Sequence, residues 1–313
     1  MYLKRCLQVV DATNAGAFHP IIYAFIREAV AGPILWLLAY MVTGLPLRLC
    51  DPPPAPPTNT GKLLPAKADY LQVALLGSFL YLNQLFFILG IALSGVVVAT
   101  CIQPVIPVLT AAIAVSMGME SGSMQKFVGI GLAVAGSVAM VLGGISTASH
   151  HSAAESRNLL TGNLCLMANT VSMSLYYLNA KKLVQRYSPA AVTAWAYITA
   201  ASLMGATAAG TIEVEQWTVP RPLLGPLLYW IVVCSVVGYF VVTAATQYLP
   251  ASQVGDAFFE CASSHNTSCT GCCVSVLAAV CRDGAGGGGV GGGADMVGPG
   301  CCWGDHRAGA SDQ

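Results

Sequence analysis

The chain contains a series of apolar segments, each about as long as a lipid bilayer is thick. A helix rises ~1.5 Å per residue, so ~20 mostly apolar residues cross a hydrocarbon core of ~30 Å. The segments with this length and composition are 20–42, 70–93, 96–117, 127–145, 159–178, 190–211 and 223–248. With a shorter apolar fragment at 1–10, the sequence predicts an all-α integral membrane protein with seven to eight recognisable spans.

The composition supports lipid as the main partner of the chain. Of its 313 residues, 55% are hydrophobic and only 9% are charged, whereas soluble domains carry about 25% charged residues. So few charges do not cover a large water-facing surface. The formal net charge is zero, and without a basic excess we expect no nucleic-acid partner. The oligomeric state stays open.

Enzymatic and metal-binding motifs are weak or missing in this sequence. It contains no HExxH, no GxSxG, no paired carboxylate motif and no Gly-rich phosphate loop after a strand, so we expect no enzyme activity and no cofactor. Cys269 and Cys272 have the spacing of zinc ligands, but no second pair stands at a usable distance. We therefore interpret 262–313 as a flexible Cys- and Gly-rich tail without a metal.

The loop charges predict how the spans are oriented. One set of alternate loops holds most of the cations, namely Arg48, Lys62, Lys67, Lys126, Lys181, Lys182 and Arg186. The other set holds Arg157 and Arg221 beside several acidic residues. Because cytoplasmic loops are enriched in Lys and Arg, the Pro-rich loop 51–67 is predicted to be cytoplasmic, either as a stiff connector or as a ligand for a Pro-reading domain.

An internal repeat of short matching segments divides the chain. A Tyr-Leu pair, basic residues and an X-Pro step recur, as Tyr2-Leu3-Lys4-Arg5 with His19-Pro20 and as Tyr177-Leu178 with Lys181-Lys182 and Ser188-Pro189. Equivalent helices are offset by an odd number of spans, so the repeats are inverted across the membrane, as in many secondary transporters. The predicted divisions are a first repeat at 1–145, a connecting loop at 146–158, a second repeat at 159–261 and the tail.

The repeat also predicts irregular ends. Only Met1 precedes the first Tyr-Leu pair, which suggests an incomplete first helix; alternatively, Met1 is native and that span is dispensable. Cys101-Ile102-Gln103-Pro104 has no counterpart after Cys261. We therefore expect the residues after Cys261 to be altered, for instance by a change of reading frame.

Two charged residues are predicted inside the membrane, Arg27 and Glu28. A mid-bilayer charge costs roughly 2.5–3.5 kcal/mol on insertion scales, so it normally faces a cavity or a partner. Neighbours on a helix point ~100° apart, so the two need not pair. Arg27 is a candidate ligand of an anionic group, and Glu28 is the carboxylate best placed to carry a proton. The alternatives are snorkelling to water and exchange without a coupling ion.

Other polar side chains are candidates for a cavity wall or for contacts between helices. Thr100, Gln103, Pro107 and Thr110 follow one helical stripe, where Pro104 and Pro107 disturb the helix and free carbonyls. The remaining candidates are Asn83, Gln84, Asn169, Ser172, Tyr176, Tyr239 and Gln247. Polar groups in lipid often serve only to hold helices together. Asp69 is expected to be an N-cap, and Tyr70, Trp195 and Trp217 are expected to be interfacial anchors.

These segments resemble a known family. The residues that carry the resemblance are Phe25-Ile26-Arg27-Glu28, Gln103-Pro104-Val105-Ile106-Pro107, Met119-Glu120 and Leu249-Pro250-Ala251-Ser252-Gln253-Val254. In order and spacing, over roughly 2–261, they resemble the EamA-domain drug/metabolite transporters, with the plant and algal nodulin-like branch as the nearest in character. The resemblance implies ten helices in two inverted halves around a central cavity. The chain departs from that pattern in its first helix and after Cys261.

The resemblance implies export or exchange of small organic solutes, among them amino acids and auxin-like compounds, by alternating access. The membrane predicted is the plasma membrane, with an endomembrane or a plastid as alternatives. Two other functions stay open. A nucleotide-sugar or sugar-phosphate exchanger calls for more intramembrane cations than Arg27 alone. A membrane protein without transport activity would be either a truncated product or a scaffold whose partners bind the Pro-rich loop 51–67.

Overall fold

The computed structural model describes residues 19–44, 64–119, scattered positions between 128 and 139, 153–212, 217, 219 and 221–248. Several predictions lie outside these residues: the fragment 1–10, most of the Pro-rich loop, most of the span 127–145, and the tail with Cys269 and Cys272. Within the described ranges every regular element is helical and no strand occurs. The predicted all-α fold is confirmed.

The helices follow one another with short connections. The chain forms α1 (Pro20–Gly44), a 3₁₀ turn (Lys67–Asp69) that leads into α2 (Tyr70–Ser94), α3 (Val96–Ile102) and α4 (Val105–Ser116). The second part forms α5 (Ala153–Val184), α6 (Pro189–Thr211), a 3₁₀ turn (Arg221–Leu223), α7 (Leu224–Tyr229), a π-helical segment (Trp230–Gly238) and α8 (Tyr239–Tyr248).

Four stretches of helix are long and apolar enough to cross a membrane, which confirms a membrane protein. They are Pro20–Met41, Lys67–Ser94, Val96–Ser116 and Leu224–Thr246. The predicted spans at 159–178 and 190–211 are also helical, within α5 and α6, but these two helices are less apolar. Most of the fully buried side chains of the structure lie on α5 and α6. Because neighbouring helices rather than lipid surround them, they need less apolar surface.

Two details of the predicted boundaries differ from the structure. The span 96–117 is confirmed as the apolar helical stretch Val96–Ser116, but the chain turns within it at Gln103 and Pro104, between α3 and α4. Pro104 has no N–H to continue the hydrogen-bond ladder, which explains a break at this point. The predicted loop 146–158 is also shorter than expected, since α5 begins at Ala153. Gly95 separates α2 from α3 with a positive φ of 86°, a conformation that glycine adopts without strain.

The helices pack in two antiparallel pairs. In the pair α1–α6, Phe25 lies against Gly205 and Ile198 lies against Gly32, so the two helices run in opposite directions. In the pair α2–α5, Leu93 and Ser94 at the end of α2 lie against Gly162 near the start of α5. The repeat predicted from the sequence makes α1 and α6 equivalent helices. An inverted repeat requires equivalent helices to run in opposite directions; the division into two repeats stays a prediction.

Small residues allow these close contacts. At Gly77 in α2, an added Cβ would overlap the side chain of Thr199 in α6. At Gly162, it would come within 2.9 Å of the backbone nitrogen of Ser94. Backbones that approach this closely are typical of helix association in membranes. One large apolar core joins α1, α2, α5, α6 and the segment from α7 to α8.

Candidate functional site

The two charged residues of α1 are buried within the bundle. Arg27 is 9% exposed and Glu28 is fully buried, so neither side chain snorkels to the surface. They form an ion pair with 3.5 Å between Arg27 Nη2 and Glu28 Oε1, although adjacent positions did not require them to pair. The geometry of the pair is poor for hydrogen bonding. Arg27 Nε and Nη2 and both Glu28 carboxylate oxygens have no hydrogen-bond partner among the described residues.

Tyrosines from several helices surround the charged pair. Arg27 interacts electrostatically with Tyr197 of α6, Tyr239 at the start of α8 and Tyr23 of α1. Tyr239 packs edge-on against Tyr197, with 5.4 Å between ring centroids, and against Tyr176 of α5, with 6.1 Å. Sequence reasoning found Tyr176 and Tyr239 but missed Tyr197, because nothing in its Ala-rich surroundings marks it as facing a charge.

Four hydroxyl groups beside these rings have no hydrogen-bond partner among the described residues. The Tyr176 hydroxyl lies near Thr243, and the Tyr197 hydroxyl lies near Ser235. All four oxygens are buried. We call Arg27, Glu28 and these neighbours the Arg27 cluster; the other members are Tyr23, Tyr176, Tyr197, Ser235, Tyr239 and Thr243.

Buried polar atoms without partners are rare in proteins, where water or a ligand normally satisfies them. In the Arg27 cluster eight such atoms lie on α1, α5, α6 and the segment from α7 to α8. A group of charged and hydroxyl atoms at one place, enclosed by apolar helix surfaces, has the character of a small-molecule site. The arrangement can bind a polar or charged solute, since both charges and both donor and acceptor groups remain available.

An irregular helix carries one wall of the Arg27 cluster. The π-helical segment Trp230–Gly238 packs against α1, holds Ser235 and ends directly before Tyr239. π-helical turns are rare and occur frequently at functional sites. The sequence 223–248 predicts a continuous apolar span and gives no sign of this irregularity, because the change of hydrogen-bond register depends on tertiary packing.

A second group of predicted residues forms a network of amides between helices. Asn169 of α5 donates to the carbonyl oxygen of Asn83 in α2 at 2.8 Å, and Asn83 donates to the carbonyl oxygen of Asn169 at 3.4 Å. Gln103 donates to Asn169 Oδ1 at 3.2 Å. These bonds join α2, α5 and the turn between α3 and α4. The groups bond to one another, which favours the interpretation that they hold helices together.

The polar stripe predicted on the span 96–117 does not form one surface. Thr100 is exposed, Gln103 is half-buried, and Pro107 and Thr110 are buried. The hydroxyl groups of Thr100 and Thr110 donate to carbonyls of their own chain segments, at Val97 and Ile106. Gln84 is half-buried on α2.

The comparison with known families gives the fold its context. Residues 160–259 match the EamA-like transporter family. This EamA-like domain begins in α5 and includes α6 and the whole segment from α7 to α8, and therefore every residue of the Arg27 cluster outside α1. The match agrees with the resemblance to the EamA-domain transporters over this range; the nodulin-like branch stays a prediction. No solved structure matches the chain significantly.

Sequence reasoning missed a cluster of side chains around the loop that joins α5 to α6. Asp69, before α2, accepts hydrogen bonds from Arg186 Nη1 and from the Tyr187 hydroxyl, each at 2.7 Å. The backbone N–H of Ala66 donates to the Tyr187 hydroxyl at 2.9 Å. The Tyr187 ring packs edge-on against Trp195, with 4.9 Å between centroids. We call Ala66, Asp69, Arg186, Tyr187 and Trp195 the Asp69 cluster.

The Asp69 cluster corrects two predictions. Asp69 occupies the N-cap position of α2, but its carboxylate makes no capping bond because both oxygens bind side chains from the loop between α5 and α6. Trp195 is buried beneath Tyr187 and is not an interfacial anchor. Burial raises the pKa of Tyr187 above its ordinary value; the Ala66 N–H lowers it, and Asp69 raises it further.

Metal binding finds no support in the described part of the chain. No group of three or more His, Cys, Asp or Glu side chains lies close enough there to hold an ion. Of the described cysteines, Cys101 is exposed, and Cys165 and Cys234 are half-buried.

Proposed function

We propose that the chain carries small organic solutes across a membrane by alternating access, and that the Arg27 cluster binds the solute. The observation that carries this proposal is the set of buried charged and hydroxyl groups at one place in the bundle whose atoms have no hydrogen-bond partner among the described residues. In a protein built only for stability, such atoms would be replaced by apolar groups or paired, because each unsatisfied group costs roughly 1–3 kcal/mol.

The position of the Arg27 cluster supports the same function. Arg27 and Glu28 lie on α1, whereas Tyr176, Tyr197, Ser235 and Tyr239 come from the EamA-like domain. Carriers built from inverted repeats bind solute where the two repeats meet, near the middle of the bilayer. A change in how α1 packs against α6 and the π-helical segment would open this place to one side or the other.

Of the predicted site residues, we assign Arg27, Glu28, Tyr176 and Tyr239 to solute binding and add Tyr197. We assign Asn83, Gln103 and Asn169 to helix association, since their amides bond to one another. Thr100, Gln84 and Pro107 are retained only as candidates for the path of the solute. We further propose the plasma membrane as the location, with 51–67 on the cytoplasmic side.

A transport assay tests the function. The full chain is reconstituted into liposomes, and uptake of labelled solutes is measured for neutral, zwitterionic, cationic and anionic compounds. We expect counterflow of at least one class and its loss in Arg27→Gln. Arg221→Gln is the matched control, because Arg221 is exposed in a 3₁₀ turn. Absence of flux for every class, with correctly folded protein, would contradict the proposal.

A further inference from the structure

Resting on the proposed function, we propose that the Arg27 cluster couples the binding of one monovalent organic anion to the uptake of one proton by Glu28. Among the described residues, Arg27 and Glu28 are the only charged side chains in this cluster, and Arg27 Nη2 lies 3.5 Å from Glu28 Oε1. Together they give a buried site with no net charge. An anion that binds Arg27 leaves one uncompensated negative charge, unless Glu28 takes up a proton.

The cost of a buried net charge drives this coupling. An unpaired ion inside a protein is strongly disfavoured, and a buried carboxyl responds by becoming neutral. Glu28 is fully buried, so the solvent does not compensate its charge. Arg27 attracts either Glu28 or the incoming anion. When the anion occupies the guanidinium, the proton comes from water on the open side of the carrier and binds a Glu28 carboxylate oxygen.

The other groups facing the pair do not take the proton instead. Arg27 stays protonated at all ordinary pH values. Tyr197 and Tyr239 interact electrostatically with Glu28 from α6 and α8. Tyr23 interacts with Arg27 and with Cys234. Phenols and thiols are already protonated and neutral near pH 7. They can donate hydrogen bonds to an anion, but they have no vacant position for a proton. Glu28 is the group left to accept it.

The chemistry of the cluster also defines the solute. The Arg27 guanidinium, whose Nε and Nη2 have no hydrogen-bond partner among the described residues, matches one carboxylate or sulfonate. The rings of Tyr176, Tyr197 and Tyr239 stand edge-on to one another and offer apolar and aromatic surface for the rest of the molecule. A second phosphate-like charge would lack a cation among the described residues. We therefore assign the site to a singly charged anion with an apolar body.

Benzenesulfonate is a suitable probe, because a sulfonate remains ionised throughout the measurement and does not cross the bilayer as a neutral acid. Any pH dependence of its binding therefore comes from the protein. Binding and proton uptake are measured on the full chain in detergent from about pH 5 to about pH 8, which includes the range where buried carboxyls titrate. We expect about one proton per bound anion and an affinity that falls up to tenfold per pH unit as pH rises.

The variants separate coupling from folding. Glu28→Gln removes the negative charge while keeping the shape; we expect it to bind benzenesulfonate at every pH with the affinity of the unmodified protein at low pH, and without proton uptake. Glu28→Asp should restore proton uptake, and Arg27→Gln should abolish binding. Size-exclusion chromatography and thermal unfolding check that each variant is folded.

The outcomes are distinct from those that test transport itself. Anion binding without proton uptake in the unmodified protein overturns the coupling and leaves the proposed carrier intact. Proton uptake that persists in Glu28→Gln overturns the assignment to Glu28. If benzenesulfonate does not bind, yet another class of solute is transported, the anion assignment is wrong. If no class of solute is transported in the liposome assay, the carrier proposal itself fails.

Discussion

The Asp69 cluster and the Arg27 cluster use the same kinds of residue in opposite ways. Each combines an arginine, a carboxylate and at least one tyrosine. In the Asp69 cluster both carboxylate oxygens accept hydrogen bonds at 2.7 Å. In the Arg27 cluster the charges are 3.5 Å apart, and no oxygen of Glu28 has a hydrogen-bond partner in the described part of the chain.

The difference follows from where the partners come from. Asp69 and Arg186 are 117 residues apart in the sequence. They meet because the start of α2 lies beside the end of α5, so the packing of these helices determines the geometry of the pair. Arg27 and Glu28 are neighbours on one helix, whose backbone holds the side chains at divergent angles. A satisfied cluster stabilises a contact between elements. An unsatisfied cluster keeps its binding capacity for a molecule that enters and leaves.

The largest expected difference between the clusters is in transport. Arg27→Gln should lower the transport rate by at least about 30-fold, because truncating one partner of a buried charged interaction costs ~2–5 kcal/mol. Asp69→Asn should leave the rate per folded molecule unchanged. Initial rates of counterflow, normalised to folded protein, check this prediction. Equal losses in both variants would show that the two clusters do not differ in role.

The sequence predicts the membrane spans and the buried charges, because both depend on local composition. Residues 20–42 are apolar except near Arg27 and Glu28, and Pro104 marks the place where the chain turns within the span 96–117. Contacts between distant elements are not predictable in this way. The Asp69–Arg186 pair, the orientation of Tyr197 and the π-helical segment all depend on how helices pack, and no local pattern records that.

Stability should respond in the opposite order to transport. Asp69→Ala should lower the free energy of unfolding by about 1–3 kcal/mol, since the buried Tyr187 hydroxyl loses its acceptor. The double variant Arg27→Gln/Glu28→Gln should be neutral or up to ~4 kcal/mol more stable, because replacing a poorly bonded buried ion pair removes a desolvation penalty. Unfolding in mixed detergent measures both. A double variant that is less stable than Asp69→Ala contradicts the assignment of Arg27 and Glu28 to solute binding.

Single hydroxyl groups sharpen the same comparison. Tyr187→Phe removes hydrogen bonds to Asp69 and Ala66 and should cost about 1 kcal/mol or somewhat more. Tyr197→Phe removes a buried hydroxyl without a partner among the described residues and should be neutral or slightly stabilising. Tyr70→Phe is the control, since Tyr70 is 53% exposed on α2. Thermal unfolding of the three variants in one detergent gives the differences directly.

The smallest expected effect is a dependence on alkaline pH in the Asp69 cluster. Burial raises the pKa of Tyr187 in the folded protein, whereas an unfolded tyrosine titrates near pH ~10. Below that pH both states hold the proton, and the contribution to stability is complete. Above it the unfolded state loses its proton first, so the free energy of unfolding decreases as pH rises towards the folded-state pKa. Unfolding followed across this range should show a shallower decline in Tyr187→Phe than in the unmodified protein, because the variant lacks the titrating group. Identical slopes would mean that the Tyr187 proton does not contribute to the stability of the loop between α5 and α6.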